Sequence, residues 1–133
     1  MIFVDSNVPM YLIGGDHRNK NTARAVLQRL VSEGRRLVTD AEVYKEVLHR
    51  FGASARRDAI QRAFDLVDSM VDHVFTIEYA DVVAAKDLLA THPALSARGA
   101  IHVATMRREG VRQVISFDLG FDSVAGIERL HTP

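Results

Sequence analysis

The chain has 133 residues, 47% of them apolar and 26% charged, with 17 basic and 17 acidic side chains and a formal net charge of zero. These values fit one soluble domain over residues 1–133, and they lack the basic excess that announces nucleic-acid binding. Cysteine is absent, which excludes disulfides, zinc thiolate sites and cysteine nucleophiles and fits a cytoplasmic location. No apolar run approaches the roughly 20 residues of a membrane span, and Asp5 interrupts the first apolar run too early for a signal peptide.

Met1 to Val4 is a short apolar run and predicts a buried strand. A short helix is expected from about Val8, with Pro9 tolerated in its first turn and Gly14-Gly15-Asp16 ending it. The next helix covers about Asn19 to Glu33, because Ala23, Val26, Leu27, Leu30 and Val31 recur at helical spacing before Gly34. Leu37-Val38 forms the core of a second strand, and Thr39-Asp40-Ala41-Glu42 opens a helix to about Phe51-Gly52. Ser54 is the expected N-cap of a further helix with Ile60, Phe64, Val67 and Val71 in register. Val74 to Ile77 predicts a third strand, Tyr79 to Thr91 a helix, and Ser96 caps a last helix to about Glu109. Val114 to Phe117 and Ile127 to Leu130 complete the set. Alternating strands and helices define an α/β class with a mainly parallel sheet.

Acidic residues fall where these strands end. Asp5 closes the first, Asp118 closes the fourth, and Glu42 follows the second. Ligands of open parallel sheets bind outside the carboxyl ends of strands, and carboxylates gathered there suit a hard divalent cation. The arrangement points to metal-assisted phosphoryl chemistry. Local roles compete at each position. Asp5-Ser6-Asn7 offers N-cap chemistry for the helix that follows. Thr39-x-x-Glu42 is a capping-box pattern, with Glu46 one turn later as a reserve ligand and Asp40 as turn chemistry. Asp122, in Asp118-Leu119-Gly120-Phe121-Asp122, is either an auxiliary acid or an ordinary turn residue. His102 reads as a packing residue at the core edge rather than a general base. The pairs Arg35-Arg36, Arg56-Arg57 and Arg107-Arg108 read as solvated faces and helix C-termini. A phosphatase or phospho-receiver would explain an aspartyl nucleophile at Asp5. The first wants Asp where Asn7 stands, and the second wants lysine near Phe117-Asp118.

The succession MIFVDSN, LVTDAEVYKEVL, LSARGAIHVATMRREGV and VISFDLGFD resembles the PIN domain of bacterial ribonuclease toxins of the VapC type. The match runs along nearly the whole chain, and its last two blocks are the most specific. The resemblance implies a three-layer α/β/α sandwich with a central, mainly parallel sheet of four or five strands. It implies a Mg²⁺- or Mn²⁺-dependent endoribonuclease, the toxin of a type II toxin–antitoxin system, paired with a VapB-type antitoxin. It also implies RNA of the tRNA or rRNA class as substrate, 5′-phosphate and 3′-hydroxyl products, and a homodimer with no membrane partner. The family's acids fall on Asp5, Glu42 and Asp118, with Asp122 as the auxiliary one, so the metal is expected between Asp5 and Asp118 with Glu42 direct or through water.

One position departs from the family pattern. Gly99 stands where the family usually has Asp in a Ser-Ala-Arg-Asp-Ala motif, so one carboxylate is missing. Glycine is also unhelpful to a helix, by about 1 kcal/mol against alanine in an interior position. The expectation is a nuclease weakened or inactivated by Gly99. The alternative is a PIN-fold module that binds antitoxin or RNA without cutting.

Overall fold

The computed structural model describes residues 1–133. Five strands, β1 (Ile2–Val4), β2 (Leu37–Asp40), β3 (His73–Phe75), β4 (Gln113–Ile115) and β5 (Glu128–Leu130), form one sheet in the order β3-β2-β1-β4-β5. Every neighbouring pair is parallel. Six α-helices connect them: α1 (Asn7–Ile13), α2 (Arg18–Ser32), α3 (Ala41–Gly52), α4 (Ala59–Met70), α5 (Tyr79–Thr91) and α6 (Ala97–Arg108). A 3₁₀ turn at Leu119–Ser123 lies between β4 and β5.

Successive strand residues point to opposite faces, and the core divides accordingly. Phe3, Val38 and Val114 join Val103, Met106 and Phe121 in a cluster beneath α5 and α6. Ile2, Val4, Leu37 and Ile115 join Val8, Ala23, Val26 and Leu30 beneath α1 and α2. The inner strands are therefore buried on both faces, which explains the apolar runs of β1 and β2 and the Val114-Ile115 end of β4. The edge strands β3 and β5 are partly exposed. A smaller cluster, Val47, Phe51, Ala59 and Ala63, ties α3 to α4. Deleting one of the central side chains, such as Phe3→Ala, removes about 3–5 kcal/mol. Gly34 and Gly110 take φ of 70° and 71° just past α2 and α6, where a side chain would be strained.

The direction of strand addition reverses at β1, whose neighbours are β2 on one side and β4 on the other. The crevice outside the carboxyl ends of β1 and β4 is where open sheets of this type bind ligands.

Three local expectations are corrected. Thr39 does not cap α3: its hydroxyl donates to the Val4 carbonyl at 2.8 Å, and Asp40 caps instead, accepting from the Val43 amide at 3.2 Å. The Thr39–Glu42 capping box is therefore not formed. Ser54 accepts from the Arg56 amide at 3.0 Å in a turn, and α4 begins later, at Ala59. β3 ends at Phe75 rather than Ile77, because its partner β2 ends at Asp40, which lies opposite Phe75.

Candidate metal centre

Asp5 lies directly beyond β1 and is 6% exposed. Its Oδ1 accepts from the Ser6 amide at 2.8 Å, and its Oδ2 accepts from the Ser116 hydroxyl at 2.6 Å and the Asn7 side-chain amide at 3.3 Å. Ser116 sits just past β4, so the two strand ends at the switch point are joined through this carboxylate. Burial raises the Asp5 carboxyl above its ordinary value, and the neighbouring Glu46 adds to the rise against His102 and the hydrogen bonds.

Glu46 enters from the second turn of α3 and is 4% exposed. The Ser6 hydroxyl donates to its Oε2, and Nε2 of His102 lies 2.7 Å from its Oε1. The other ring nitrogen of His102, Nδ1, lies 2.9 Å from Oδ2 of Asp40. A carboxylate can only accept, so a ring with carboxylates at both nitrogens is bonded on both sides only as the imidazolium. Burial opposes that charge, but Asp40, Glu46 and Asp5 outweigh it and hold His102 well above its ordinary value. Thr105, one turn along α6 from Ile101–His102, donates to Asp40 Oδ2 at 2.8 Å. Asp40 thus receives three donors and fixes the ring that in turn fixes Glu46.

A cavity of about 170 Å³ opens onto this cluster, and its wall includes Asp5, Glu46, Arg98, Gly99, His102 and Asp118. One ligand atom from each of Asp5, Glu46 and His102 lies within 4.8 Å of the others. His102 spends its nitrogens on carboxylates, so the oxygens of Asp5 and Glu46, with half-buried Asp118 across the cavity, are the donors open to a cation. Buried carboxylates facing one another repel, and a divalent cation with oxygen preference fits that donor set. The cluster can bind a divalent metal.

Asp5, Asp118 and Gly99 therefore share one cavity. Glu42 and Asp122 do not. Glu42 is buried but turns to Lys45, 3.2 Å away, and lines no part of the cavity. Asp122 accepts from Nε and Nη2 of Arg129, at 2.9 Å each, which keeps its carboxyl below the ordinary range. The second acid of the cluster is Glu46. Helix α3 leaves β2 and crosses over Asp5–Ser6 only in its second turn, so the reserve acid, not the first-turn acid, faces β1. His102 is likewise no core-edge packing residue. Ser6, Ser116 and Asp40 escaped the sequence because serine and aspartate at strand ends look like turn chemistry, and Thr105 because a threonine inside α6 carries no local signal of a partner on β2.

Gly99 occupies the third position of α6, and its amide donates to the capping hydroxyl of Ser96 at 3.0 Å. A Cβ added there would stand 3.0 Å from Leu95 Cδ1 and 3.2 Å from Ser96 Oγ. The first is the end of a flexible side chain, which can give by a few tenths of an ångström.

A fully parallel α/β sheet with buried acids at its switch point defines a class of metal-binding folds suited to phosphoryl chemistry. Residues 2–127 match the model of the PIN domain. Ribonuclease VapC13 of Mycobacterium tuberculosis is 51% identical over 130 residues, covering 98% of this chain and 99% of that protein. Ribonuclease VapC23 of the same species is 38% identical over 118 residues, covering 89% and 93%. The chain belongs to the PIN-domain family, among the VapC ribonucleases. Solved structures share the fold. The sarcin-ricin loop cleaving toxin VapC20 of Mycobacterium tuberculosis superimposes with a TM-score of 0.72 at 23% identity, covering 89% of this chain and 90% of that one. VapBC2 from Rickettsia felis, bound to a DNA fragment from its promoter, gives 0.75 at 12% identity with both chains fully covered.

Proposed function

We infer that this chain is the toxin of a type II toxin–antitoxin pair, an endoribonuclease that hydrolyses RNA phosphodiester bonds with Mg²⁺ or Mn²⁺. The observation that carries the reading is the buried pair Asp5 and Glu46 at the switch point, in one cavity with Asp118. Its identity to VapC ribonucleases supports the substrate class.

Asp5, Glu46 and Asp118 would hold the ion. A bound divalent cation supplies positive charge against a phosphate oxygen and makes water a better nucleophile near neutral pH. The remaining chemistry belongs to the chain. Ser6, Asn7 and Ser116 aim Asp5, while the Asp40–His102 link holds Glu46. Arg98 lies 3.8 Å from Glu46 and 60% exposed, at the cavity wall, where it can meet a phosphate oxygen. In-line attack with departure of the 3′ oxygen leaves 5′-phosphate and 3′-hydroxyl ends.

Gly99 weakens this activity, because an aspartate there would add a fourth carboxylate to the same wall. The rival reading, a PIN module that binds without cutting, rests on that same glycine. A VapB-type antitoxin, a homodimer and a cytoplasmic setting complete the proposal, with residues 1–133 acting as one PIN domain. No helix is long and apolar enough to cross a membrane. The deciding experiment is Mn²⁺-dependent cleavage of total RNA by this chain, by Gly99→Asp and by Gly99→Asp/Glu46→Gln. Cleavage by Gly99→Asp that the second substitution abolishes supports the weakened nuclease. Two folded, inert proteins in the first two lanes overturn it in favour of the binding module.

A further inference from the structure

A second cavity, of about 330 Å³, adjoins the acidic one, and Asn7 and Met10 of α1 stand in the wall of both. It is lined further on by Tyr11, Asp16, His17 and Arg50. The Tyr11 ring stacks on His17 with centroids 4.2 Å apart and planes 16° from parallel. It also meets Phe117 edge-on at 5.4 Å. Phe117 directly precedes Asp118, so a row of three rings runs outward from the strand end at the acidic cavity to the exposed His17.

The volume is at the small end of the roughly 300–1,000 Å³ of small-molecule sites, enough for one flat group rather than a chain segment. Aromatic walls offer a stacking surface that every base can use. Arg50 supplies a donor and a positive charge, and Asp16 supplies an acceptor for an exocyclic amine. Glu46 also lines another hollow with Lys45, His49 and Arg98, whose wall contains no hydrophobic residue. That hollow can hold backbone phosphate but cannot tell one base from another.

We propose that the Tyr11–His17–Arg50 cavity is a subsite for one nucleobase beside the scissile phosphate, and that it makes the chain base-selective. The inference rests on the ribonuclease reading for its substrate but is measurable without catalysis.

The test is a metal-free NMR titration of the full chain, following the Tyr and His ring signals. The probes are the four nucleoside 3′-monophosphates, with ribose 5-phosphate as the base-free control. At least one nucleotide should shift the Tyr11 and His17 signals, and ribose 5-phosphate should not. Tyr11→Leu keeps apolar bulk without the ring. His17→Ser removes the second ring while keeping a side-chain cap for α2, whose Asn19 amide now donates to His17 at 3.0 Å. Each should weaken nucleotide binding at least fivefold. Nucleotides that leave both rings unmoved, or that bind both variants unchanged, overturn the subsite. If Gly99→Asp cuts RNA with a base preference that Tyr11→Leu does not alter, the subsite falls and the ribonuclease reading stands. If the rings shift but no variant cuts, the cavity still binds a nucleobase and the ribonuclease reading falls.

Discussion

Nε2 of His102 meets Oε1 of Glu46 at 2.7 Å across 56 residues of chain, joining α6 to the second turn of α3. This contact sets Glu46, rather than Glu42, beside Asp5 in the cavity. It also anchors Glu46 to a ring whose far side is held by Asp40 at 2.9 Å.

The two glutamates of α3 should therefore separate on metal. A ligand present at a hundredfold over its Kd stabilises by about 2.7 kcal/mol, a rise in Tm on the order of 10 °C for a domain of this size. Mn²⁺ or Mg²⁺ should raise the Tm of the chain and of Glu42→Gln alike, because Glu42 is engaged with Lys45 outside the cavity. Glu46→Gln should lose most of the shift. Differential scanning fluorimetry with and without metal reads it directly, and a shift lost in Glu42→Gln instead would return that residue to the centre.

Much of the frame behind this was legible in the chain. The inner strands β1 and β2 and the end of β4 read as apolar because both faces are covered there, whereas the edge strands β3 and β5 are partly exposed. Asp5 stands out because it directly follows β1, and Asp118 because it follows the apolar run that contains β4. The chain alone points to Glu42 and holds Glu46 in reserve, while the cavity takes in Glu46, because the path of a helix over a neighbouring strand is a tertiary fact. Periodicity puts Val43 and Val47 inward but does not say which turn passes over Asp5. His102 shows the same limit. Its neighbours Ala100, Val103 and Ala104 are core residues, and only the arrival of Asp40 and Glu46 from β2 and α3 turns a packing position into an ionic one.

The metal-free chain should lose stability as pH rises. His102 is held above its ordinary value of 6.5 by Asp40, Glu46 and Asp5 despite burial. Its contribution is complete below the unfolded pKa and is lost as pH climbs through the folded one. Asp5, raised from 3.8 by burial, contributes in the same direction at lower pH, since the folded chain holds that proton longer. His102→Gln should be less stable than the chain at pH 6 by about 3 kcal/mol, the scale of breaking a buried pair. The gap should narrow by pH 9. A gap of constant size across that range would mean that the ring acts by packing alone.

Arg108 should matter where Arg107 does not. Its guanidinium grips the buried Asp81 carboxylate with two bonds of 3.0 Å and donates to the Thr76 carbonyl at 2.7 Å, tying the end of α6 to the start of α5. Arg108→Ala leaves a buried acceptor unpaired, a loss of about 1–3 kcal/mol. Arg107 makes one contact of 3.4 Å to the Ala125 carbonyl, so Arg107→Ala should fall within about 0.5 kcal/mol of the parent. Urea denaturation of the two variants gives the comparison. Equal losses would mean that the Asp81 pairing adds nothing beyond general charge at the helix end.

Gly99→Asp should be the variant whose stability depends most on metal. Leaving glycine favours α6 by up to about 1 kcal/mol, and an acid in the first turn gains a few tenths more from the helix dipole. Against this stand the like charges of Asp5, Glu46 and Asp118 around the same cavity, and a Cβ 3.0 Å from Leu95 Cδ1 that must push the leucine aside. Like charges sharing a buried site are penalised more heavily than a helix position is rewarded. Without metal, Gly99→Asp should therefore melt below the parent, and with saturating Mn²⁺ above it. Gly99→Ala isolates the helix and crowding terms, and it should show no such crossing. If Gly99→Asp is the more stable protein in the absence of metal, the new carboxylate does not face the other three, and the glycine is not the missing part of the centre.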